Sequence, residues 1–152
     1  MRPMRSGSCG KGTVTYFDSS ALVAAIVEEE EHHEAALREL AEVSEGVTST
    51  HALAETFATL TSGRVDIQIS PNEALEILEA NVLRRLKVMD LTLTDYRRAM
   101  QNSQSAGARG GAIYDMLHLQ AARRCGATRI LTINVRHFQT FAPDLKHCIV
   151  LP

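Results

Sequence analysis

Three carboxylates stand in surroundings that suit a charge poorly. Asp18 closes the run Thr13-Val14-Thr15-Tyr16-Phe17 and precedes a second apolar run, Ala21 to Val27. Glu55 is the only charged residue between His51 and Thr61, among Ala52, Leu53, Ala54, Phe57 and Ala58. Asp115 is the sole charge in Ala112-Ile113-Tyr114-Asp115-Met116-Leu117. A buried carboxylate left alone is costly enough that it protonates, pairs or binds a metal. Singly, each acid has an ordinary explanation. Asp18 could cap a helix, Glu55 could pair with an arginine such as Arg109, and Asp115 could cap near the start of its own helix. If the three meet, two carboxylates about 4 Å apart repel by roughly 4 kcal/mol at an effective dielectric of 20, and a divalent cation reverses that sign. Carboxylate oxygens match Mg²⁺ or Mn²⁺ better than zinc. A metal held by few protein oxygens keeps waters, one of which can attack a phosphodiester. Hydrolysis of a nucleic-acid backbone is a sensible use for such a site.

Other side chains fall near these acids in sequence. Ser19 and Thr132 could orient water or phosphate, although helix capping and strand packing explain them as well. Arg109, in the loop Gly107 to Gly111, is a candidate phosphate clamp because guanidinium meets phosphate oxygens bidentately; a salt bridge explains it equally. Arg136 has the same two readings. The pairs Arg84-Arg85, Arg97-Arg98 and Arg123-Arg124 read as solvated helix faces, one of which could flank RNA. His118, one helical turn beyond Asp115, reads as a packed or hydrogen-bonded histidine rather than a general base. The run Glu28 to Glu34, with His32 and His33, reads as a solvated helix start.

The elements that must position the acids follow from local pattern. Val14 to Phe17 is β-branched and aromatic, and Ser19 or Ser20 can cap the helix Ala21 to Val27. Further helices are expected over Glu34 to Val43, His51 to Thr61, Pro71 to Leu86, Thr94 to Ser103 and Ala112 to Cys125. Ser70-Pro71-Asn72-Glu73 is a capping box with proline at the first helical position, and Leu75, Leu78, Val82 and Leu86 are expected on that helix's buried face. Strands are expected at Val47 to Thr50, Lys87 to Asp90, Arg129 to Ile133 and Cys148 to Val150, with a helical turn over His137 to Phe141. Short apolar strands alternating with helices imply crossover units: an α/β fold with three layers, α/β/α, around a mainly parallel sheet of four to five strands. Ligands bind such sheets beyond the carboxyl ends of the strands, where strand order reverses. Asp18 and Asn134 both lie on that rim. Asp90, at the end of another strand, could add a fourth acid.

A chain of 152 residues is the size of one domain. Residues 1–12 read as a flexible lead-in and 13–152 as a single domain. The net charge of −2 means that any nucleic-acid contact must come from a local patch, not a global field. With 5% aromatic residues and no Trp, the core must be built from Leu, Ile, Val and Ala. Cys9, Cys125 and Cys148 are odd in number and lack metal-type spacing, which suits reduced thiols. No apolar run approaches the roughly 20 residues of a membrane span. A cytoplasmic location is expected.

Four local patterns, in order, carry a resemblance. Tyr16-Phe17-Asp18-Ser19-Ser20-Ala21-Leu22 resembles the opening strand and first acid of PIN domains. Thr50-His51-Ala52-Leu53-Ala54-Glu55-Thr56 is similar to the helix with that family's second acid. Ile113-Tyr114-Asp115-Met116-Leu117-His118-Leu119-Gln120-Ala121-Ala122 resembles the third-acid helix, and Leu131-Thr132-Ile133-Asn134-Val135-Arg136-His137-Phe138 the late Thr-x-Asp/Asn-x-x-Phe segment. The resemblance is closest to VapC-type toxins, and it implies a Mg²⁺- or Mn²⁺-dependent endoribonuclease, usually a homodimer, held inactive by a VapB antitoxin. It makes Asp18, Glu55 and Asp115 the catalytic, metal-binding acids. Asn134 falls where the family has Asp or Asn; as an amide it can ligate through oxygen but adds no charge, which bears on a second metal. A PIN nuclease with a housekeeping role and no antitoxin, or a PIN-fold binding module that has lost catalysis, are the alternatives.

Overall fold

The computed structural model describes residues 12–64 and 68–152. Most of the proposed lead-in, Cys9 included, lies outside the described residues. Five short runs form strands: β1 (Val14–Phe17), β2 (Glu45–Ser49), β3 (Lys87–Met89), β4 (Arg129–Leu131) and β5 (Ile149–Val150). They make one sheet in the order β3-β2-β1-β4-β5, and every pairing is parallel. Strand alternation sends neighbouring side chains to opposite faces. Tyr16 and Ile130 enter one buried cluster while Phe17 and Leu131 enter another.

Among the described residues seven α-helices cover the two faces: α1 (Ser19–Ile26), α2 (His33–Glu42), α3 (Thr50–Leu60), α4 (Pro71–Leu78), α5 (Leu93–Ala106), α6 (Ala112–Arg124) and α7 (Val135–Phe141). Leu22, Leu40, Ala52 and Leu78 of α1 to α4 pack on Phe17 and Leu131. Ala99, Leu117, Leu119 and Phe138 of α5 to α7 pack on Tyr16 and Ile130. The change of side is dictated by topology. Right-handed crossovers from β1 to β2 to β3 place their helices on one face, and stepping back across the sheet to β4 reverses the face. The same reversal opens a crevice between the carboxyl ends of β1 and β4.

Three details differ from the sequence reading. Helix α1 is capped by Asp18, whose side chain accepts the Ala21 N–H, rather than by Ser19 or Ser20. The helix after Ser70 keeps its capping box but widens into a π turn over Glu79–Leu83. Its buried row is Ala74, Leu78, Val82 and Leu86, while Leu75 is half exposed. A spacing of four drifts about 40° per step on an α-helix, and the wider π turn cancels that drift. Finally, Arg123 and Arg124 are not merely solvated. Arg123 grips Asp144 bidentately at 2.6 and 2.9 Å, and Arg124 pairs with the buried Asp95.

Asp95 anchors α5. Its Oδ2 accepts from the Thr92 backbone N–H, closing a capping box, while Gln120 donates to Oδ1. Helix α5 ends at Gly107, whose φ of 70° is left-handed and therefore favours glycine. Among the described residues no helix is long and apolar enough to cross a membrane.

Candidate active site

Asp18 leaves β1 at its carboxyl end and its side chain is almost wholly buried, with 2% exposure. Oδ1 accepts the Ala21 N–H at 2.8 Å and the Ser20 hydroxyl at 2.7 Å. Ser20 Oγ also meets Thr132 Oγ1 at 3.3 Å and accepts the Ile133 N–H at 2.9 Å. The start of α1 is thus tied to the chain leaving β4. These contacts favour the carboxylate, yet burial outweighs them and the Asp18 pKa is raised.

Glu55 projects from α3 and Asp115 from the first turn of α6. Asp115 is half-buried, without a hydrogen bond or ion pair among the described residues. Burial raises its pKa first, and the charges of Asp18 and Glu55 raise it further against the opposing influence of His118 and His137. Asp115 thus feels the charges of both other acids. The fold does not bring the oxygens of all three within one ion's span. Among the described residues the group whose ligand atoms all lie within 4.8 Å of one another is His51, Glu55 and His118.

Those two histidines are what sequence reading missed. His118 is packed and hydrogen-bonded as expected, but its partner is a candidate catalytic acid. Nε2 lies 2.6 Å from Glu55 Oε1, and Nδ1 lies 2.9 Å from the Tyr16 hydroxyl, which in turn meets Ser49 Oγ at 2.9 Å. Ser19 donates to the same Glu55 oxygen at 3.2 Å. His51 Nε2 lies 2.9 Å from it but without hydrogen-bond alignment, and that buried nitrogen has no other partner. Burial would raise the Glu55 pKa, but the two histidines more than offset it and hold the carboxyl well below the usual range. The signal was present in spacing: His51 precedes Glu55 by four residues and His118 follows Asp115 by three, so each pair shares a helix face.

The remaining candidates are scattered around this crevice. Thr132 is buried and accepts the Asn134 N–H at 3.0 Å; Asn134, capping α7, is exposed. Arg109 and Arg136 are exposed and form no ion pair among the described residues. Glu55 is therefore not paired with Arg109. Asp90 lies after β3, two strands from β1 and so about 10 Å away, and its carbonyl is held by Arg124. It is not part of the cluster.

The family model for the PIN domain matches residues 15–142. The chain belongs to the PIN domain family. Among curated proteins, none matches it. Solved structures that share the fold include the following two. VapC20 of Mycobacterium tuberculosis, a toxin described as cleaving the sarcin–ricin loop, is 19% identical with a TM-score of 0.63, over 76% of this chain and 86% of that one. VapBC2 from Rickettsia felis, bound to a DNA fragment from its promoter, is 18% identical with a TM-score of 0.61, over 90% of this chain and 96% of that one.

Asp18 and Asp115 have no Arg or Lys partner among the described residues, although burial opposes charge on both. Carboxylate oxygens are the hard donors that Mg²⁺ or Mn²⁺ takes, so the chemistry of Asp18, Glu55 and Asp115 fits such an ion, although the three would have to draw closer than they stand here to share one.

Proposed function

We propose that this chain is a metal-dependent endoribonuclease, the toxin of a VapBC-type pair, acting at the crevice between β1 and β4. The observation that carries the reading is that Asp18, buried at the carboxyl end of β1, and the half-buried Asp115 have no Arg or Lys partner among the described residues. Membership of the PIN family and the likeness to two structures described as VapC20 and VapBC2 support it.

In this reading Asp18, Glu55 and Asp115 hold the cation, with Asn134 available as a neutral oxygen ligand. A bound Mg²⁺ or Mn²⁺ would supply charge stabilisation at the phosphate and an activated water. The chain's own groups do the rest. Ser20 and the Ala21 N–H fix Asp18 through Oδ1 and leave its other oxygen free of those two contacts. Tyr16 and His118 orient Glu55 from behind. Arg109 and Arg136 contact the RNA backbone, and Ser19 and Thr132 order water or phosphate beside the acids. The working form is a cytoplasmic homodimer, restrained by a VapB-type antitoxin.

The test is cleavage of total RNA by the purified chain with Mg²⁺ or Mn²⁺, followed by mapping of the cut ends. Discrete cleavage that EDTA abolishes is expected. RNA left intact, with either metal and no antitoxin present, would remove the reading. A short DNA-binding protein encoded in the adjacent frame, co-purifying with the chain and blocking cleavage, is the expected outcome for the pairing.

A further inference from the structure

We propose that His51, Glu55 and His118 form a second, nitrogen-rich cation site, selective for a borderline transition ion of the Zn²⁺ class. It goes beyond the nuclease reading and shares one residue, Glu55, with it.

The geometry carries this. His51 Nε2 and His118 Nε2 approach the same oxygen, Glu55 Oε1, at 2.9 and 2.6 Å, and all three ligand atoms lie within 4.8 Å of one another. Bonds of about 2.0–2.2 Å around a four- to six-coordinate ion put neighbouring donors roughly 3 Å apart, close to the arrangement already present. His51 is the decisive residue. Its side chain is 9% exposed, and its Nε2 faces Glu55 Oε1 at 2.9 Å without the alignment of a hydrogen bond. A contact so poorly directed leaves the nitrogen's hydrogen-bonding capacity unused, and coordination to a shared cation would use it.

The surroundings are those of a metal-bound histidine. A ligating imidazole commonly donates its other N–H to an oxygen that fixes its tautomer. His118 Nδ1 has such an oxygen in Tyr16, 2.9 Å away, and Tyr16 has Ser49 as an onward partner. A His118 that ligates through Nε2 would carry its single ring proton on Nδ1, moved there from Nε2 by exchange with solvent, and would donate it to the Tyr16 hydroxyl, which would donate to Ser49 in turn. His51 is stacked on Tyr114, with ring centroids 5.5 Å apart, which limits its rotation away from Glu55. Two imidazoles and one carboxylate favour Zn²⁺, Ni²⁺ or Cu²⁺ over Mg²⁺, whereas the acids at the crevice offer only oxygens.

The experiment is titration of the full, metal-free chain with Zn²⁺, read by long-range ¹H–¹⁵N spectra of the imidazoles and by calorimetry. The Nε2 resonances of His51 and His118 should move together with the first equivalent. His51→Ala should weaken that site at least about tenfold, and Asp18→Asn should leave it in place. Zn²⁺ that leaves both resonances unmoved in the unmodified chain overturns the proposal, whether or not His51→Ala folds. Loss of the site in Asp18→Asn, with retention in His51→Ala, overturns it as well. Cleavage of RNA by Asp18→Asn would instead count against the nuclease reading and leave the histidine site standing.

Discussion

Asp18 sets stability against activity, and replacing it with Asn separates the two. The buried carboxylate has a raised pKa, burial being the main cause. The folded state therefore holds a proton that the unfolded chain gives up. Stability from this group is full below the ordinary carboxylate pKa and is lost as pH rises through the higher folded value. At pH 7, without metal, Asp18 is a liability. Asn keeps the oxygen that accepts the Ala21 N–H and the Ser20 hydroxyl and carries no charge. In EDTA at pH 7, Asp18→Asn is expected to melt at or above the unmodified chain, its advantage shrinking as pH falls into the carboxylate range. Asp18→Ala instead loses the cap, about 1 kcal/mol, or roughly 2–4 °C for a chain of this size. Metal reverses the order. A ligand at 100 times its Kd adds about 2.7 kcal/mol, so saturating Mn²⁺ should raise the unmodified chain by roughly 5–10 °C and leave Asp18→Asn nearly unmoved. The assay is a thermal melt in EDTA and in Mn²⁺ across pH 4 to 8. Equal metal shifts in both proteins, or an Asn variant as damaged as the Ala variant in EDTA, would refute the reasoning.

Three further outcomes concern residues away from that carboxylate. Asp95→Ala should cost about 2–3 kcal/mol, from a lost cap and a charge-assisted hydrogen bond. Burial tends to raise the Asp95 pKa, but Thr92, Gln120 and Arg124 bring it below the ordinary value, so the deficit in denaturant melts should fade as pH drops through the acid range. Gly46→Ala would drive a methyl into Leu86 Cδ2 and towards Val43 Cγ1, 2.9 Å away, and should cost about 1–3 kcal/mol by chemical denaturation. Arg109→Ala and Arg136→Ala should each weaken binding of single-stranded RNA and lower the salt slope by about 0.7 for each phosphate no longer neutralised; an unchanged slope would remove that arginine from the RNA surface.

Much of the fold was readable from local pattern because local chemistry decides it. Ser70-Pro71-Asn72-Glu73 fixes a helix start by itself, and the β-branched and aromatic residues of Val14 to Phe17 favour a strand. The isolation of Asp18 and Asp115 among apolar residues reflects an electrostatic problem that the fold retains, whereas at Glu55 the histidines answer it. What stayed hidden depends on distance in three dimensions. Nothing in His51 or His118 alone says that both imidazoles close on one Glu55 oxygen, because α3 and α6 are far apart in the chain and meet only in the folded protein. Asp18 looked like either a helix cap or a metal ligand, and the structure shows it capping while its charge remains unneutralised. The π turn after Leu78 was invisible because a row spaced by four residues reads as an ordinary α-helical face.

The most direct measurement compares RNA cleavage by the unmodified chain and by Asp115→Asn in Mg²⁺, with folding checked by circular dichroism. Asp115 has no structural partner among the described residues, so its replacement should leave the fold intact. Cleavage should fall by more than the roughly 10–100-fold that loss of a supporting group costs. Undiminished cleavage by a folded Asp115→Asn protein would contradict the claim that these acids work as one site.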